Sequence, residues 1–247
     1  MRYLDLNADL GEGVGDDGAM LEIVSSASIA CGGHAGDPDT MRRTVRAARE
    51  RGVIVGAHPS FPDRENFGRK RLLLPPEELD ASIRTQVRTL VEIAEEEAWP
   101  VRYVKLHGAL ANMAAEEPAI MALCLAAVEG LVDGMTVLAI DNSAQVAVAE
   151  ALGFPVVREA YADRGYQSDG LLLPRQMPGA VLHEPAYISA RAVRLALHGI
   201  IVAADGTELP TEARSLCIHG DTPDAVAIAQ SVRAALGGVG VEIRSAL

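Results

Sequence analysis

Residues 28–38 read SIACGGHAGDP, an apolar run followed by a glycine-rich turn with one histidine and then a helix start. The pattern recurs at residues 53–58 (VIVGAH), 103–107 (YVKLH) and 216–219 (LCIH), where a short apolar run also ends in a histidine. In α/β enzymes the reactive groups collect at the carboxyl edge of a parallel sheet. We therefore expect four of the six histidines to lie at one such edge.

The bulk composition is that of an ordinary globular protein. With 247 residues, 49% hydrophobic and 23% charged, the chain can bury a sizeable core, and we expect one domain covering residues 1–247. The net charge of -12 opposes nucleic acid and acidic membrane surfaces, so neither is an expected partner. No apolar run approaches the roughly 18 residues of a membrane span, and a strand-like run from residue 3 leaves no room for a signal peptide. We therefore expect a cytoplasmic protein.

Strand-like runs alternate with helical patterns along most of the chain. The predicted strands cover residues 3–8, 27–31, 53–57, 101–106, 136–140, 155–160 and 215–219. The predicted helices cover residues 38–51, 76–97, 118–130, 143–153, 185–197 and 222–237. This α/β alternation predicts a parallel sheet, and about seven units favour a closed (β/α) barrel, with an open doubly wound sheet as the alternative. Two long loops, at residues 61–75 and 159–183, and a hairpin at residues 200–209 interrupt the repeat.

Polar residues alternate with apolar ones in the first predicted strand. Asp5, Asn7 and Asp9 therefore share one face, which in a barrel is the lumen. Carboxylates enclosed there need a cation, a proton or an ammonium group between them. Lys105, on the fourth strand, is the expected counter-charge. The titratable residues that we expect inside the barrel are Asp5, Asp9, Lys105, His107, Glu159 and His219.

A metal ion is a further way to balance these charges. Asp9, His58 and His107 come from separate strand ends, and one aspartate with two histidines is a workable ligand set for a divalent ion. A purely structural role for each histidine stays open. The chain has no GxxxxGK[ST], no HExxH and no GxSxG, and no GxGxxG follows the first strand in the context of a Rossmann fold, so any nucleotide is bound by another arrangement.

Seven motifs together resemble the LamB/YcsF family, in the family's order and over nearly the whole chain. They are DLNADLGEG (5–13), SIACGGHAGDP (28–38), GVIVGAHPSFPD (52–63), NFGRKR (66–71), VKLHGALAN (104–112), YADRGYQSDGLLLPR (161–175) and CIHGDTPDA (217–225). The resemblance implies a seven-stranded (β/α) barrel related to the glycoside hydrolase/deacetylase fold. It also implies the A subunit of an ATP-dependent 5-oxoprolinase, which opens 5-oxo-L-proline to L-glutamate with ATP and water.

Matching the family's motifs residue by residue implies a set of site residues, whose individual roles are our hypotheses. The expected catalytic residues are Asp9, Lys105, His107, His219 and Asp221. The expected substrate-binding or ATP-binding residues are Glu12, His34, Arg69, Asp163 and Arg164. The expected metal ligands are Asp9, His58 and His107, for Zn²⁺ or Mn²⁺, while Mg²⁺ accompanies ATP. The implied partners are 5-oxoproline and 5-oxoprolinase subunits B and C.

Within this set, we expect Lys105 and Arg69 to stabilise phosphate charge, and His219 to pair with Asp221 as a proton carrier. Two rival functions remain. One is a metal-dependent amidase or deacetylase that needs no ATP, and the other is a non-catalytic substrate-binding subunit.

Three positions depart from the family's pattern. Gly33 stands where the family has an aromatic residue, Leu106 where it has proline and Ala111 where it has tyrosine. We expect Gly33 and Ala111 to widen the pocket or to remove a stacking surface, which bears on substrate choice.

Overall fold

Parallel strands and helices alternate along residues 3–247, the part of the chain that this computed structural model describes. The strands are β1 (Tyr3–Leu10), β2 (Ser26–Ala30), β3 (Ile54–His58), β4 (Val101–Val104), β5 (Thr136–Ile140), β6 (Val156–Tyr161), β7 (Ile200–Val202), β8 (Glu208–Pro210), β9 (Ser215–Cys217) and β10 (Glu242–Ile243). The helices are α1 (Asp17–Leu21), α2 (Pro38–Arg51), α3 (Pro76–Glu96), α4 (Gly108–Glu116), α5 (Pro118–Val128), α6 (Ala144–Ala151), α7 (Pro185–His198) and α8 (Ala225–Gly238).

Seven of these strands close a parallel barrel. β1 to β6 pair in sequence order, and β9 pairs with both β6 and β1. Cys217 closes the ring, since it lies opposite Tyr161 on one side and Asn7 on the other. The predicted (β/α) barrel is therefore confirmed, and the open sheet is excluded. That residues 1–247 form one domain stays a prediction, and residues 1–2 lie outside the described part.

Local sequence explains where most helices begin and end. Asp37 caps α2 by accepting a hydrogen bond from the Thr40 amide at 2.8 Å, and Pro38 occupies the first turn, as expected. Gly52 ends the helix in the left-handed conformation, with φ of 68°. The hairpin is also confirmed, because β7 and β8 pair antiparallel. Among residues 3–247, no helix combines the length and the apolar composition that a membrane crossing requires.

Three helices differ from the sequence prediction, and one of them, the short α1, was not predicted. α8 begins at Ala225 rather than at residue 222, because the Thr222 hydroxyl donates to Asp163 at 3.1 Å instead of capping the helix. α4 was not predicted at all. Its sequence, GALANMAAE, is buried on most sides, so it lacks the apolar and polar faces by which an amphipathic helix is recognised.

The two faces of β1 bury different chemistry. Leu4, Leu6 and Ala8 are fully buried in the core. Asn7 lies on the lumen face, where its side-chain amide donates to Glu159 and to Ser215, each at 2.8 Å. The alternation read from the sequence thus separates an apolar layer from a polar lumen.

Tyr103 fills the lumen beside Gly56, its neighbour across β3 and β4. A Cβ atom at Gly56 would overlap the Tyr103 ring. We expect Gly56→Ala to lower the free energy of unfolding by about 1–3 kcal/mol, the usual cost of overpacking a core, in urea denaturation. The control is Gly237→Ala in α8, where an added Cβ meets no atom within 4 Å and helix propensity favours alanine. Wild-type stability of Gly56→Ala would contradict this packing.

Candidate active site

A cavity of about 540 Å³ opens at the carboxyl end of the barrel. Asp9, His58, His107 and His219 line it, delivered by or just after β1, β3, β4 and β9. His34, which follows β2, lies behind this lining and contacts both His58 and His107. The four strand-end histidines therefore do gather at one edge of the barrel, as the sequence predicts.

Lys105 sits at the centre of a buried charge cluster beneath the cavity. Its ammonium lies 2.8 Å from Asp9 Oδ1 and 3.0 Å from Glu159 Oε1, and it donates to Asn7 Oδ1 at 3.1 Å. Burial opposes its charge, but attraction from Asp9, Cys217 and Glu159 outweighs burial and raises the pKa of Lys105 well above its ordinary value. The Lys105 side chain is 2% exposed and does not line the cavity. It therefore affects the cavity by pairing with Asp9, which does line it.

Asp9 is ionised although it is enclosed. Burial alone would raise its pKa, but His58 and Lys105 hold the pKa of Asp9 well below the usual range. Its second oxygen, Oδ2, lies 3.4 Å from His58 Nε2. A permanent carboxylate therefore faces the cavity.

Three histidines and Glu12 form the histidine cluster, defined as Glu12, His34, His58 and His107. His58 Nδ1 donates to the Lys105 carbonyl at 2.8 Å, and His107 Nε2 donates to the Phe67 carbonyl at 2.9 Å. The remaining ring nitrogens, His58 Nε2 and His107 Nδ1, face each other at 3.0 Å.

His34 completes the cluster from the side. Its ring stacks on His107 with 3.6 Å between centroids and 3° between planes, and its Nε2 lies 2.9 Å from Glu12 Oε1. Burial, reinforced by neighbouring His58, lowers the pKa of His34. Burial, followed by repulsion from Asp9 and Asp221, raises the pKa of Glu12 well above its ordinary value.

His219 pairs with Asp163, not with Asp221 as the sequence led us to expect. His219 Nδ1 donates to Asp163 at 2.9 Å, and Asp163 also accepts from the backbone amide of His219. The reason is topological, because β6 and β9 are neighbours in the barrel, so the residues that follow them meet. Asp221 forms an ion pair with Arg69 instead.

The predicted arginines have different roles in the structure. Arg69 and Arg164 both line the cavity, but Arg164 also donates to the carbonyls of Ala180 and Leu173 at 2.8 and 2.7 Å. Arg164 therefore holds the loop that follows β6, which was not foreseen.

Arg175 is one of the cavity residues that the prediction missed. It lines the cavity and is partly buried, and within residues 3–247 its side chain takes part in no hydrogen bond or ion pair. Burial, together with repulsion from Arg69, lowers its pKa. The signal was present, since a lone arginine ends the apolar run LLLPR at residues 171–175.

The three departures from the family pattern have unequal effects. Leu106 and Ala111 line the cavity, whereas Gly33 does not. A Cβ atom at Gly33 would overlap the side chains of Ser60 and Gln86. Gln86 occupies that space and is fixed there by hydrogen bonds to the Ser60 amide (3.0 Å) and carbonyl (2.8 Å). The expectation that Gly33 widens the pocket is therefore wrong.

Two sets of potential metal-ligating atoms occur among the described residues. The histidine cluster is one, and Asp9, Cys217 and His219 form the other, with the ligand atoms of each set within 4.8 Å of one another. These buried groups fit a divalent metal ion. The predicted trio of Asp9, His58 and His107 is not one of the sets, and it stays a prediction.

Known proteins resemble the chain throughout its length. The model of the LamB/YcsF family matches residues 4–247. One relative is a protein from Agrobacterium fabrum that is named as an A subunit of 5-oxoprolinase. The two sequences are 46% identical over an alignment of 250 positions, which covers 99% of this chain and 98% of that protein. The structure of the lactam utilization protein from Thermus thermophilus matches with a TM-score of 0.91 and 38% identity, covering 98% and 99% of the two chains. A family 4 carbohydrate esterase from Streptomyces lividans matches with a TM-score of 0.51 and 11% identity over 98% and 91%, which shows a shared fold alone.

Removing the ammonium of Lys105 should destabilise the barrel. Lys105→Met leaves Asp9 and Glu159 buried without their cation, and we expect the free energy of unfolding to fall by about 3–5 kcal/mol in urea denaturation. Glu159→Gln in the same chain should restore part of the loss. The control is Lys70→Met, the same change at an exposed position, where we expect an effect within about 0.5 kcal/mol. Equal stability of the two lysine variants would contradict the role of this cluster.

Proposed function

The chain belongs to the LamB/YcsF family, and we propose that it takes part in hydrolytic opening of 5-oxo-L-proline to L-glutamate as the A subunit of an ATP-dependent 5-oxoprolinase. The names of its relatives and of the T. thermophilus structure support a role in 5-oxoproline metabolism. The cavity supports it further, because acid–base groups such as Asp9 and His219 lie below a cationic rim that includes Arg69 and Arg175. Such a site suits a small amide with a carboxylate or phosphate attached.

The chemistry of the lactam supports a requirement for ATP. A lactam is a poor electrophile because its nitrogen lone pair is delocalised into the carbonyl. Transfer of the γ-phosphoryl group from ATP to the lactam oxygen releases ADP and makes the ring carbon open to attack by water. Expulsion of the ring nitrogen as an amine then gives an acyl phosphate, and a second water releases phosphate and L-glutamate.

Each residue of the site has a proposed task in this sequence. Arg69 and Arg175 bind the phosphates of ATP or the substrate carboxylate by charge-assisted hydrogen bonds. His219 accepts the proton of the attacking water at Nε2, since Nδ1 is held as a donor to Asp163. Lys105 acts by positioning Asp9 rather than by contacting phosphate, because it lies beneath the cavity lining.

The proposal also includes the metal ion that accompanies ATP, the partner subunits and the cellular location. ATP is bound with Mg²⁺, and subunits B and C complete the enzyme in the cytoplasm. The relatives are named as A subunits, which supports an assembly of several different chains.

The histidine cluster favours one rival, a metal-dependent amidase that hydrolyses the lactam without ATP. A binding subunit that leaves all chemistry to its partners is the other rival. The amidase differs from the main proposal in that glutamate appears without ADP, and the binding subunit differs from it in that replacing His219 leaves kcat of the complete assembly unchanged.

The proposal is tested by assaying the chain alone and with subunits B and C from the same organism. We expect glutamate and ADP in equal amounts only when all three subunits, 5-oxoproline and ATP are present. Glutamate release without ATP would support the metal-dependent amidase. If no combination binds or hydrolyses 5-oxoproline, the proposal fails.

Replacing Arg175 should weaken ligand binding without affecting stability. We expect Arg175→Met to raise KM for ATP or for 5-oxoproline by about 10–100-fold, which corresponds to the loss of one charge-assisted hydrogen bond. The matched control is Arg214→Met, because Arg214 is exposed at the opposite, amino end of β9. Unchanged KM values for both ligands would remove Arg175 from the site.

A further inference from the structure

We propose that Glu12, His58 and His107 bind one divalent transition-metal ion, and that His34 acts as a positioning residue for Glu12. This ligand set differs from the trio predicted from the sequence, because Glu12 takes the place of Asp9. The proposal goes beyond the 5-oxoprolinase reaction, since metal binding is a property of the chain without substrate or nucleotide.

The hydrogen bonds of the two imidazoles determine where their lone pairs lie. A carbonyl oxygen only accepts, so His58 carries its hydrogen on Nδ1 and His107 carries its hydrogen on Nε2. In the neutral rings, His58 Nε2 and His107 Nδ1 are then both lone pairs, and they face each other at 3.0 Å. Two facing lone pairs repel, so either a proton shared by the two nitrogens or a metal ion has to lie between them. Metal-ligating histidines characteristically donate their other N–H to a carbonyl in this way.

The spacing of the ligand atoms fits one ion. Two atoms each about 2.1 Å from a metal lie roughly 3.0–3.6 Å apart when the angle at the metal is between about 90° and 120°. His58 Nε2 and His107 Nδ1 are 3.0 Å apart, and Glu12 Oε1 is 3.6 Å from His107 Nδ1. The planes of the two rings cross at 87°, so one ion on the line where they meet would lie in the plane of both rings.

His34 belongs to the cluster but not to the ligand set. Its ring is parallel to His107 at 3.6 Å, and an ion in the plane of one ring therefore lies well outside the plane of the other. Its Nε2 instead reaches Glu12 Oε1 at 2.9 Å. His34 thus orients the carboxylate, as outer partners of metal ligands commonly do.

The choice of carboxylate follows from charge balance. Asp9 already has an ammonium partner, since its Oδ1 lies 2.8 Å from Lys105. Glu12 is 8% exposed, and among residues 3–247 it forms no ion pair with a lysine or arginine. A raised pKa favours the neutral form of Glu12 while no ion is bound, and a metal ion that displaces this proton would then balance the carboxylate.

The donor set also selects the kind of ion. Two imidazole nitrogens and one carboxylate suit Zn²⁺, Mn²⁺, Fe²⁺ or Co²⁺ better than Mg²⁺ or Ca²⁺, which prefer oxygen ligands. His58 and His107 line the cavity, so the remaining coordination positions face it.

Calorimetric titration of the chelator-treated chain with Zn²⁺ and with Mn²⁺, without nucleotide, tests the site. We expect one ion per chain. Glu12→Gln and His107→Gln should weaken binding at least 100-fold, and His34→Gln should weaken it about 10–100-fold. Asp9→Asn should have a smaller effect than Glu12→Gln. The control is His198→Gln, because His198 is an exposed histidine at the end of α7.

Histidine ¹⁵N resonances of the unmodified chain give a second readout that does not depend on variants folding. Addition of Zn²⁺ should shift His58 Nε2 and His107 Nδ1, while the nitrogens that donate to carbonyls keep their protonated signature. No binding by the wild-type chain, shifts confined to other histidines, or full affinity in Glu12→Gln would overturn the proposal. Because no substrate is present, failure of the 5-oxoprolinase assay leaves this result unaffected.

Discussion

The ion cluster around Lys105 is the constraint on which the rest of the structure depends. One buried ammonium joins Asp9 on β1 to Glu159 on β6 from its own position just after β4, so it links three sides of the barrel. Removing the ammonium would leave two carboxylates uncompensated in a medium where charge is costly. The cluster therefore ties closure of the barrel to the presence of an ionised carboxylate at its carboxyl end. Fold and site depend on the same interaction.

The barrel reaches this arrangement because its lumen is filled with polar side chains. Asp5 accepts hydrogen bonds from Ser26 and Ser215, and Asn7 donates to Ser215 and Glu159. Burial raises the pKa of Asp5 even though these hydroxyl groups partly counter it. A lumen of this kind specifies strand register, because a shift by one residue would place carboxylates among the helices.

The fold was predictable from local patterns, and the pairings within the site were not. The alternation of about seven strands with helices favoured the barrel, and period-2 alternation in β1 predicted its polar lumen and the role of Lys105 as counter-charge. The partner of His219 was beyond reach, because Asp163 and Asp221 both lie in loops where periodicity says nothing about direction. Likewise, a glycine at position 33 suggests open space until Gln86, distant in sequence, is seen to fill it. Sequence patterns locate residues on strands, whereas contacts between loops depend on the closed barrel.

The rim and the floor of the cavity carry opposite charges, and this difference determines which chemical groups the proposed site can hold at each depth. The rim carries Arg69 and Arg175, and the floor carries the ionised carboxylate of Asp9. An anion is attracted to the rim and repelled from the floor, so phosphate or carboxylate groups are best held high in the cavity. A neutral lactam ring meets no such barrier and can approach His219. A divalent ion in the histidine cluster would partly cancel the negative field of Asp9. An anionic oxygen could then approach the floor of the cavity.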